Sequence, residues 1–230
     1  MDIRRVVVTS VLKGLLNTLC KIDAEEFRKT LLSVAADGKS VQPMILAINH
    51  INFLEMPVLV TQGYPLLVSG LAKDTTWKNP IMAFLFDTYQ AIPINRRGAY
   101  LEAFEKAREM IERGFFMIVA PEGTRSGNGV LGRGKAGIVQ LALSAGVPIL
   151  PVVHFGGEKI WQNMKHFKRT PFHLRVGRPF RFKCDGPVDK ITREQLLEEL
   201  MGQMAALLPE DKRGVYAGLA GQKNKYLEFL

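Results

Sequence analysis

Short apolar runs that alternate with helix-like segments restrict the fold of this sequence more than any other feature. Residues 44–48, 115–120 and 147–153 are apolar and contain β-branched or aromatic side chains, which is typical of buried strands. A charged amphipathic segment at residues 100–113, closed by Gly114, predicts one of the helices between them. The alternation predicts an α/β fold with a mixed, largely parallel sheet flanked by helices.

Length and composition indicate one large globular domain with attachments. The chain has 230 residues, of which 47% are hydrophobic and 23% charged. No apolar run approaches the ~20 residues that a spanning helix needs, and the first residues lack the pattern of a signal peptide. The two cysteines, Cys20 and Cys184, indicate neither a disulfide framework nor a cluster of metal ligands, and a reducing cytosol fits them.

The net charge of +9 calls for an anionic partner, which could be nucleic acid, a membrane face or a phosphate-bearing substrate. Residues 158–185 carry eight lysines and arginines against only Glu158 and Asp185. Apolar and basic side chains alternate over residues 174–183, which predicts one strand with a buried face and a basic face. That basic face lacks interleaved aromatic residues, so nucleic acid is not an expected partner.

One polar stretch, residues 49–55, follows the predicted strand at residues 44–48. His50 should therefore lie at the carboxyl end of a strand, where open α/β sheets place their ligand sites. Asn52 is predicted to cap the next helix, with Glu55 at capping-box spacing. A carboxylate at position 55 can also reach His50 and make it a general base. The same residues also fit an ordinary helix cap with a histidine that faces water.

Two glycine-rich strings do not fit the motifs that they resemble. Residues 127–132 match a dinucleotide-binding fingerprint as letters, but six residues separate them from the preceding strand and no acidic residue follows at residues 147–155. Residues 129–135 match the first part of a P-loop, but Ala136 occupies the position of the magnesium-binding serine or threonine. Neither a dinucleotide nor a nucleoside triphosphate is predicted as a ligand.

Four blocks in order give the sequence a resemblance to the glycerolipid acyltransferases typified by 1-acylglycerol-3-phosphate acyltransferase. They are residues 49–55, 92–96, 121–126 and 147–152, and the similarity spans roughly residues 42–215. The first block resembles a histidine-x4-aspartate motif, and the third, Pro-Glu-Gly-Thr-Arg-Ser, is intact. This chain departs from the family in having Glu55 for the usual aspartate, and Gln90 where relatives often have glycine.

The resemblance implies transfer of a fatty acyl group from a thioester of coenzyme A or acyl carrier protein to the hydroxyl of a lysophospholipid. The implied acceptor is 1-acylglycerol 3-phosphate, which would give phosphatidate. His50 would be the general base and Glu55 would orient it. No cofactor and no metal ion are expected beyond the acyl donor. The implied acceptor- and phosphate-binding residues are Lys73, Arg96, Glu122, Gly123, Thr124 and Arg125. Glu122 would orient Arg125 or bind glycerol hydroxyls, unless the two form only a structural ion pair.

The chain is predicted to divide into an N-terminal amphipathic, membrane-docking segment (residues 1–40), an acyltransferase catalytic domain (41–212) and a C-terminal tail (213–230). Residues 3–20 have helical apolar spacing with basic flanks, which fits either a helix in the membrane interface or a helix that packs on the domain. We expect peripheral, monotopic association with the anionic, cytoplasmic face of a membrane. The alternatives are a non-catalytic lipid-binding or membrane-tethering protein of the same fold and an acyltransferase for another hydroxylated lipid.

Overall fold

The computed structural model describes residues 2–36, 42–94, 100–184 and 186–230. Its helices are α1 (Ile3–Leu19), α2 (Glu25–Ala36), α3 (Glu55–Gly63), α4 (Pro80–Thr88), α5 (Tyr100–Glu112), α6 (Gly137–Ala145), α7 (Ile160–Lys165) and α8 (Lys190–Leu207). Its strands are β1 (Cys20–Asp23), β2 (Ile45–Ile48), β3 (Val68–Lys73), β4 (Ile92–Ile94), β5 (Phe116–Val119), β6 (Ile149–Phe155), β7 (Thr170–Val176), β8 (Phe180–Phe182) and β9 (Leu227–Phe229). The predicted α/β class is confirmed.

The strands that the structure describes form one mixed sheet, seven of them in the order β1-β7-β6-β2-β5-β3-β4, while β8 pairs with β6 and with β9. From β6 to β4 every neighbouring pair is parallel, whereas β7 runs antiparallel to β6 and pairs in parallel with β1. The loops after β2, β3 and β5 therefore leave the sheet at one edge, which we call the carboxyl edge. Open α/β sheets bind their ligands at such an edge.

Both faces of the sheet are covered by helices, so its central strands are buried on both sides. In β2, Ile45 and Ala47 belong to a core that includes residues of α5, α6 and α8, while Leu46 and Ile48 belong to a core that includes residues of α1, α2 and α3. The alternation follows from the two-residue period of a strand. It explains why the parallel strands read as continuous apolar runs in the sequence.

Helix α1 has one packed face and one exposed apolar face. On the packed face, the Arg5 guanidinium donates to the Val68 carbonyl at 2.9 Å, and the hydroxyls of Thr9 and Tyr89 lie 2.9 Å apart. The exposed face carries apolar side chains four residues apart, each more than half exposed: Ile3, Val7, Val11 and Leu15. Packing on the domain is therefore confirmed for one face of this helix, and a position in the membrane interface stays a prediction for the other. Within the described residues, no helix has both the length and the apolar character needed to cross a membrane.

The strand predicted over residues 174–183 is interrupted, because β7 and β8 follow one another along β6 and both run antiparallel to it. Arg175 is also not a free basic side chain, since its guanidinium contacts the Asp23 carboxylate at 2.9 Å. At the interruption the Gly177 backbone N–H still donates to the Pro151 carbonyl at 2.9 Å, and the chain continues along β6 in the same direction. Alternation of side chains alone could not reveal the interruption, since Leu174, Val176 and Phe180 are buried on either side of it.

The C-terminal residues pack against the domain. Strand β9 pairs antiparallel with β8, and the Tyr216 hydroxyl accepts a hydrogen bond from the Gly134 backbone N–H at 2.9 Å. Tyr216 is buried in the same core as α8. These contacts attach residues 213–230 to β8 and to the loop after β5. The domain boundaries at residues 40 and 212 stay a prediction.

Candidate functional site

The turn after β2 places His50 and Glu55 at the carboxyl edge. The predicted helix cap at Asn52 is wrong: α3 starts at Glu55 with Leu54 as its N-cap residue, and the Asn52 side chain instead accepts from the Leu54 backbone N–H at 2.9 Å. The other half of the predicted capping box is present, because the Glu55 carboxylate accepts from the Asn52 backbone N–H at 2.6 Å. The Glu55 carboxylate thus bonds to the backbone of its own turn and also faces His50.

Glu55 is a buried carboxylate whose two oxygens have different partners. Its Oε1 accepts from the backbone N–H groups of Ile51 and Asn52 at 2.7 and 2.6 Å and from His154 Nε2 at 3.1 Å. Its Oε2 faces His50 Nδ1 at 3.5 Å, the outer limit of a hydrogen bond. Burial by itself raises the pKa of the Glu55 carboxyl, but the hydrogen bonds from His154 and His50 outweigh it and hold that pKa well below its usual range. Glu55 is therefore an anion with a fixed orientation.

His50 is the partly open member of the pair. Its side chain is 27% exposed, against 2% for Glu55, and it lines a cavity between the sheet edge and α1, α3 and α4. With Nδ1 directed at Glu55, a proton on Nδ1 leaves Nε2 as the free nitrogen. A carboxylate that holds the Nδ1–H tautomer in this way prepares a histidine to accept a proton through Nε2.

His154 is a buried component of this site that the sequence interpretation missed. Its Nε2 lies 3.1 Å from both Glu55 Oε1 and the Asn49 carbonyl, and since both are acceptors, Nε2 carries the proton. The Asn49 side chain makes reciprocal hydrogen bonds with the His154 backbone at 2.8 and 2.9 Å, and the His154 ring stacks on Phe172 at 4.9 Å. One signal was available: His154 directly follows the predicted strand at 147–153, as His50 follows its own strand.

Glu122 has contacts other than those predicted for it. Its Oε1 accepts from the His50 backbone N–H at 2.7 Å and its Oε2 from the Gly132 backbone N–H at 2.8 Å. Among the described residues, no ion pair joins Glu122 to Arg125. Burial raises the pKa of the Glu122 carboxyl, and the two backbone donors offset this only in part. Glu122 thus ties the His50 turn to the loop after β5.

Backbone hydrogen bonds reinforce this connection between the two loops. The Ser126 N–H donates to the His50 carbonyl at 2.8 Å and the Gly127 N–H to the Ile51 carbonyl at 3.2 Å. Gly123 has a φ of 65°, and a Cβ there would lie 3.2 Å from Lys135 Nζ. Glycine is therefore favoured by both the left-handed backbone conformation and the close approach of Lys135.

Three cationic side chains lie at the polar end of the cavity: Lys73 at the end of β3, Arg125 after β5, and Lys135 before α6. All three are exposed, and Gly123 and Thr124 line the same end. Lys135 was not singled out, because its glycine-rich string was considered only as a P-loop. The predicted phosphate contact Arg96 lies outside the described residues.

The cavity has a volume of about 560 Å³, within the ~300–1,000 Å³ of typical ligand pockets. Away from the cationic end its walls are mainly apolar, with contributions from Leu12, Met56, Val60, Met82, Leu85 and Phe86. These side chains come from α1, α3 and α4, so the helix at the start of the chain forms part of the wall. Such a cavity suits a ligand with a long apolar part and an anionic head.

In the part of the chain that the structure describes, no group of three or more His, Cys, Asp or Glu side chains is arranged to hold a metal ion. His50 and His154 instead each contact the Glu55 carboxylate directly.

A family model described as Acyltransferase matches residues 25–154, more than half of the chain. The chain belongs to this acyltransferase family. The predicted resemblance to glycerolipid acyltransferases is thereby confirmed, and the matched region contains His50, Glu55, the loop at residues 121–126 and His154. The fold agrees with that of the crystal structure of the 1-acyl-sn-glycerophosphate (LPA) acyltransferase PlsC from Thermotoga maritima. The TM-score is 0.59 at 20% identity, with 96% of this chain and 83% of that chain covered.

Curated relatives of this acyltransferase have more than one name. A protein of Arabidopsis thaliana named N-acylphosphatidylethanolamine synthase is 30% identical over 195 residues, which is 76% of this chain and 68% of that protein. The chloroplastic 1-acyl-sn-glycerol-3-phosphate acyltransferase BAT2 of Brassica napus is 27% identical over 120 residues, 51% of this chain and 34% of that enzyme. The chain therefore spans about a third of the length of the Brassica enzyme and about two thirds of that of the Arabidopsis protein.

Proposed function

We propose that this acyltransferase moves a fatty acyl group from a thioester to the free hydroxyl of 1-acylglycerol 3-phosphate, which gives phosphatidate. One observation carries the proposal: His50, backed by the buried Glu55 carboxylate, opens onto an apolar cavity whose same end carries Lys73, Arg125 and Lys135. The apolar walls suit a fatty acyl chain, and the cations suit a phosphate. Relatives named 1-acyl-sn-glycerol-3-phosphate acyltransferase support this choice of acceptor.

In the proposed reaction, His50 Nε2 removes the proton of the acceptor hydroxyl while that oxygen attacks the thioester carbonyl carbon. The resulting tetrahedral intermediate collapses by breaking the carbon–sulfur bond, and the thiolate leaves with its electron pair. The proton held on His50 passes to this thiolate, so the products are an ester and a free thiol. Glu55 stabilises the transient imidazolium, because its buried negative charge faces His50 Nδ1. No covalent acyl-enzyme is required.

The donor is a thioester of coenzyme A or of acyl carrier protein, and no further cofactor is proposed. Arg125 would grip the acceptor phosphate with two parallel N–H donors, and Lys73 and Lys135 would add charge. Arg96 remains a predicted fourth contact. Glu122 would act on the acceptor indirectly, since both of its oxygens hold backbone N–H groups, one of them that of His50.

The first test is an acceptor panel with product analysis by mass spectrometry. The full chain is incubated with acyl-CoA and lysophosphatidate, monoacylglycerol or phosphatidylethanolamine, and thiol release is followed. We expect phosphatidate from lysophosphatidate as the main product. An N-acylated phosphatidylethanolamine as the main product would support a second candidate, amine acylation, which the 30% identity to the Arabidopsis synthase favours. Absence of thiol release with every acceptor would favour the non-catalytic lipid-binding alternative.

Replacing Arg125 with lysine is expected to raise the KM for lysophosphatidate while leaving the KM for acyl-CoA nearly unchanged. Lysine keeps the positive charge but cannot pair bidentately with phosphate. A lost charge-assisted hydrogen bond costs roughly 1.5–3 kcal/mol, so the increase in KM should be about 10- to 150-fold. Initial rates over a range of acceptor concentrations measure it.

Arg133→Lys is the matched control for this substitution. Arg133 is an exposed arginine of the same loop region that does not line the cavity. This variant should behave as wild type. Equal use of lysophosphatidate and monoacylglycerol by wild type would show that Arg125 does not read a phosphate.

His154→Phe is expected to lower kcat about tenfold with little change in KM, which corresponds to about 1.4 kcal/mol of transition-state stabilisation. Phenylalanine preserves a ring against Phe172 but removes the Nε2–H donor to Glu55 Oε1. A double-mutant cycle with Glu55→Gln tests whether His154 acts through Glu55. If it does, the double variant should be no slower than Glu55→Gln alone. Fully additive losses would instead assign His154 a purely structural role.

Peripheral association with an anionic membrane, on the cytoplasmic face, is part of the proposal because the acceptor and the product are membrane lipids. The exposed apolar face of α1 and the net charge of +9 support it. Removal of α1 is not a clean test. The helix buries Arg5, Val8 and Leu16 in the domain and contributes Leu12 to the cavity, so deletion would disturb the fold and the site together.

A further inference from the structure

An exposed cluster of aromatic and basic side chains lies on α7 and the turn that follows it. We call this surface the α7 patch and define it by Trp161, Met164, Lys165, Phe167 and Lys168. Trp161 is 60% exposed and Phe167 is 99% exposed. Phe167 also has a φ of 53°, a left-handed conformation that is unusual for a bulky residue. This conformation ends α7, since the Lys168 N–H donates to the Asn163 carbonyl at 2.9 Å. The exposure of the two large rings is what indicates a surface that contacts a partner.

The α7 patch adjoins the proposed catalytic turn. The ring of Trp161 lies 5.0 Å from that of Phe53, which itself lines the cavity beside His50. The Asn52 side chain donates to the Gly157 carbonyl at 2.9 Å and so fixes the segment before α7 to the same turn. A partner bound to the α7 patch would therefore sit next to the cavity.

The α7 patch also adjoins the end of α1. The Arg169 guanidinium donates to the carbonyl of Cys20, the residue after α1, at 2.7 and 3.2 Å. The apolar stripe of α1 lies on the same side of the sheet, since α1 and Ile160 of α7 share one core. The α1 stripe and the α7 patch therefore expose apolar side chains on the same side of the sheet, along α1 and near its end.

The charge of the α7 patch is complementary to an anionic surface. Lys165 and Lys168 are exposed and enter no ion pair among the described residues. Glu158, the one acidic residue at positions 157–169, has its carboxylate 3.0 Å from Lys212 Nζ. Trp beside lysines is the composition of segments that lie in the lipid headgroup region, where the ring occupies the interface and the ammonium groups meet phosphates.

We propose that the α7 patch inserts into the interface of an anionic lipid bilayer and holds the cavity mouth against it. Trp161 and Phe167 enter the interfacial layer, and Lys165 and Lys168 contact lipid phosphates. The proposal rests on the proposed function in one respect, that the acceptor is a membrane lipid. An acidic carrier protein is the rival occupant, but a fully exposed phenylalanine favours a layer into which it can insert.

The direct test uses Trp161 as a fluorescent probe. The chain has two tryptophans, so Trp77→Phe leaves Trp161 as the only one. We expect vesicles of phosphatidylcholine with phosphatidylglycerol to shift its emission to the blue and protect it from acrylamide. Vesicles of phosphatidylcholine alone should do so weakly, and high salt should reduce the response. An unchanged emission on anionic vesicles would overturn the proposal.

Vesicle sedimentation of the full chain gives the second measurement. Trp161→Ala with Phe167→Ser, and separately Lys165→Glu with Lys168→Glu, are each expected to weaken binding to anionic vesicles about tenfold or more. The matched control is Ile191→Ser with Lys190→Glu, an exposed apolar residue and a lysine on α8, which packs on the opposite face of the sheet. The control should bind as wild type, and equal weakening by it would overturn the proposal.

Kinetics separate this proposal from the proposed function. The α7 variants should lose activity toward acceptor presented in vesicles but keep it toward a dispersed short-chain acceptor with acyl-CoA. If they bind vesicles normally but show a raised KM for acyl-carrier-protein thioesters, the carrier protein is the partner and the membrane proposal is wrong. If wild type transfers no acyl group while Trp161 still enters anionic vesicles, the proposed function fails and the α7 patch assignment holds.

Discussion

Replacing His50 with alanine is expected to lower the rate of acyl transfer by about 10²–10⁴-fold, the usual contribution of a general base. The reason is geometric. His50 is the histidine that faces the cavity, whereas His154, the other histidine bound to Glu55, is 1% exposed and has its Nε2 engaged on two acceptors. Initial rates of thiol release with saturating acyl-CoA and lysophosphatidate measure the loss.

The fold should survive this substitution, because the His50 side chain is partly exposed and its backbone N–H and carbonyl keep their bonds to Glu122 and Ser126. Circular dichroism and the thermal midpoint check this. His173→Ala is the control, since His173 is an accessible histidine paired with Asp23 away from the cavity. Retention of near-wild-type activity by folded His50→Ala would remove His50 from the proposed chemistry.

Glu55→Gln is expected to cause a loss of similar order, about 10²–10⁴-fold in kcat, through the wrong tautomer of His50. Oε1 of Glu55 accepts from two backbone N–H groups and from His154, so the glutamine carbonyl oxygen must occupy that side. Its NH₂ group then faces His50 Nδ1. A donor at that position makes Nδ1 the acceptor and moves the proton to Nε2, where it blocks the base.

Glu55→Asp separates the effect of the negative charge at position 55 from the effect of side-chain length. Aspartate keeps the charge and is the usual residue of the family block, but it is one methylene shorter than the side chain that here spans to His154. We expect Glu55→Asp to retain much more activity than Glu55→Gln, with kcat rather than KM affected. Wild-type kcat in Glu55→Gln would mean that Glu55 serves only the backbone N–H groups of its turn.

The local pattern of the sequence was sufficient for the fold class and for the position of the His50 turn. Runs such as residues 44–48 and 115–119 are buried on both sides of the sheet, so they are apolar without interruption and are easy to recognise. The sequence predicted helix boundaries less accurately than strand positions, because a cap depends on backbone geometry as well as residue type. Asn52 has the right chemistry for a cap but bonds to the N–H of Leu54, the residue before α3 begins at Glu55.

The sequence by itself determined which residue types meet at the carboxyl edge, because parallel strands must deliver their C-terminal loops to the same side. That is sufficient to bring His50, Lys73 and Arg125 toward one another from three separate strands. It could not determine which carboxylate serves which partner. Glu122, predicted to act on Arg125 or the acceptor, binds two backbone N–H groups instead, a choice that depends on the path of the loop through Gly132.

Only the tertiary structure decided that His154 lies behind Glu55, because strand order places β6 beside β2 although 105 residues separate Asn49 from His154. The same holds for α1. Its sequence shows an apolar helix, but which residues face the domain depends on the surface it meets, where Arg5 bonds to a strand carbonyl and Val7 is left exposed. Local spacing records the period of an element, while burial and side-chain partners are set by contacts between elements distant in sequence.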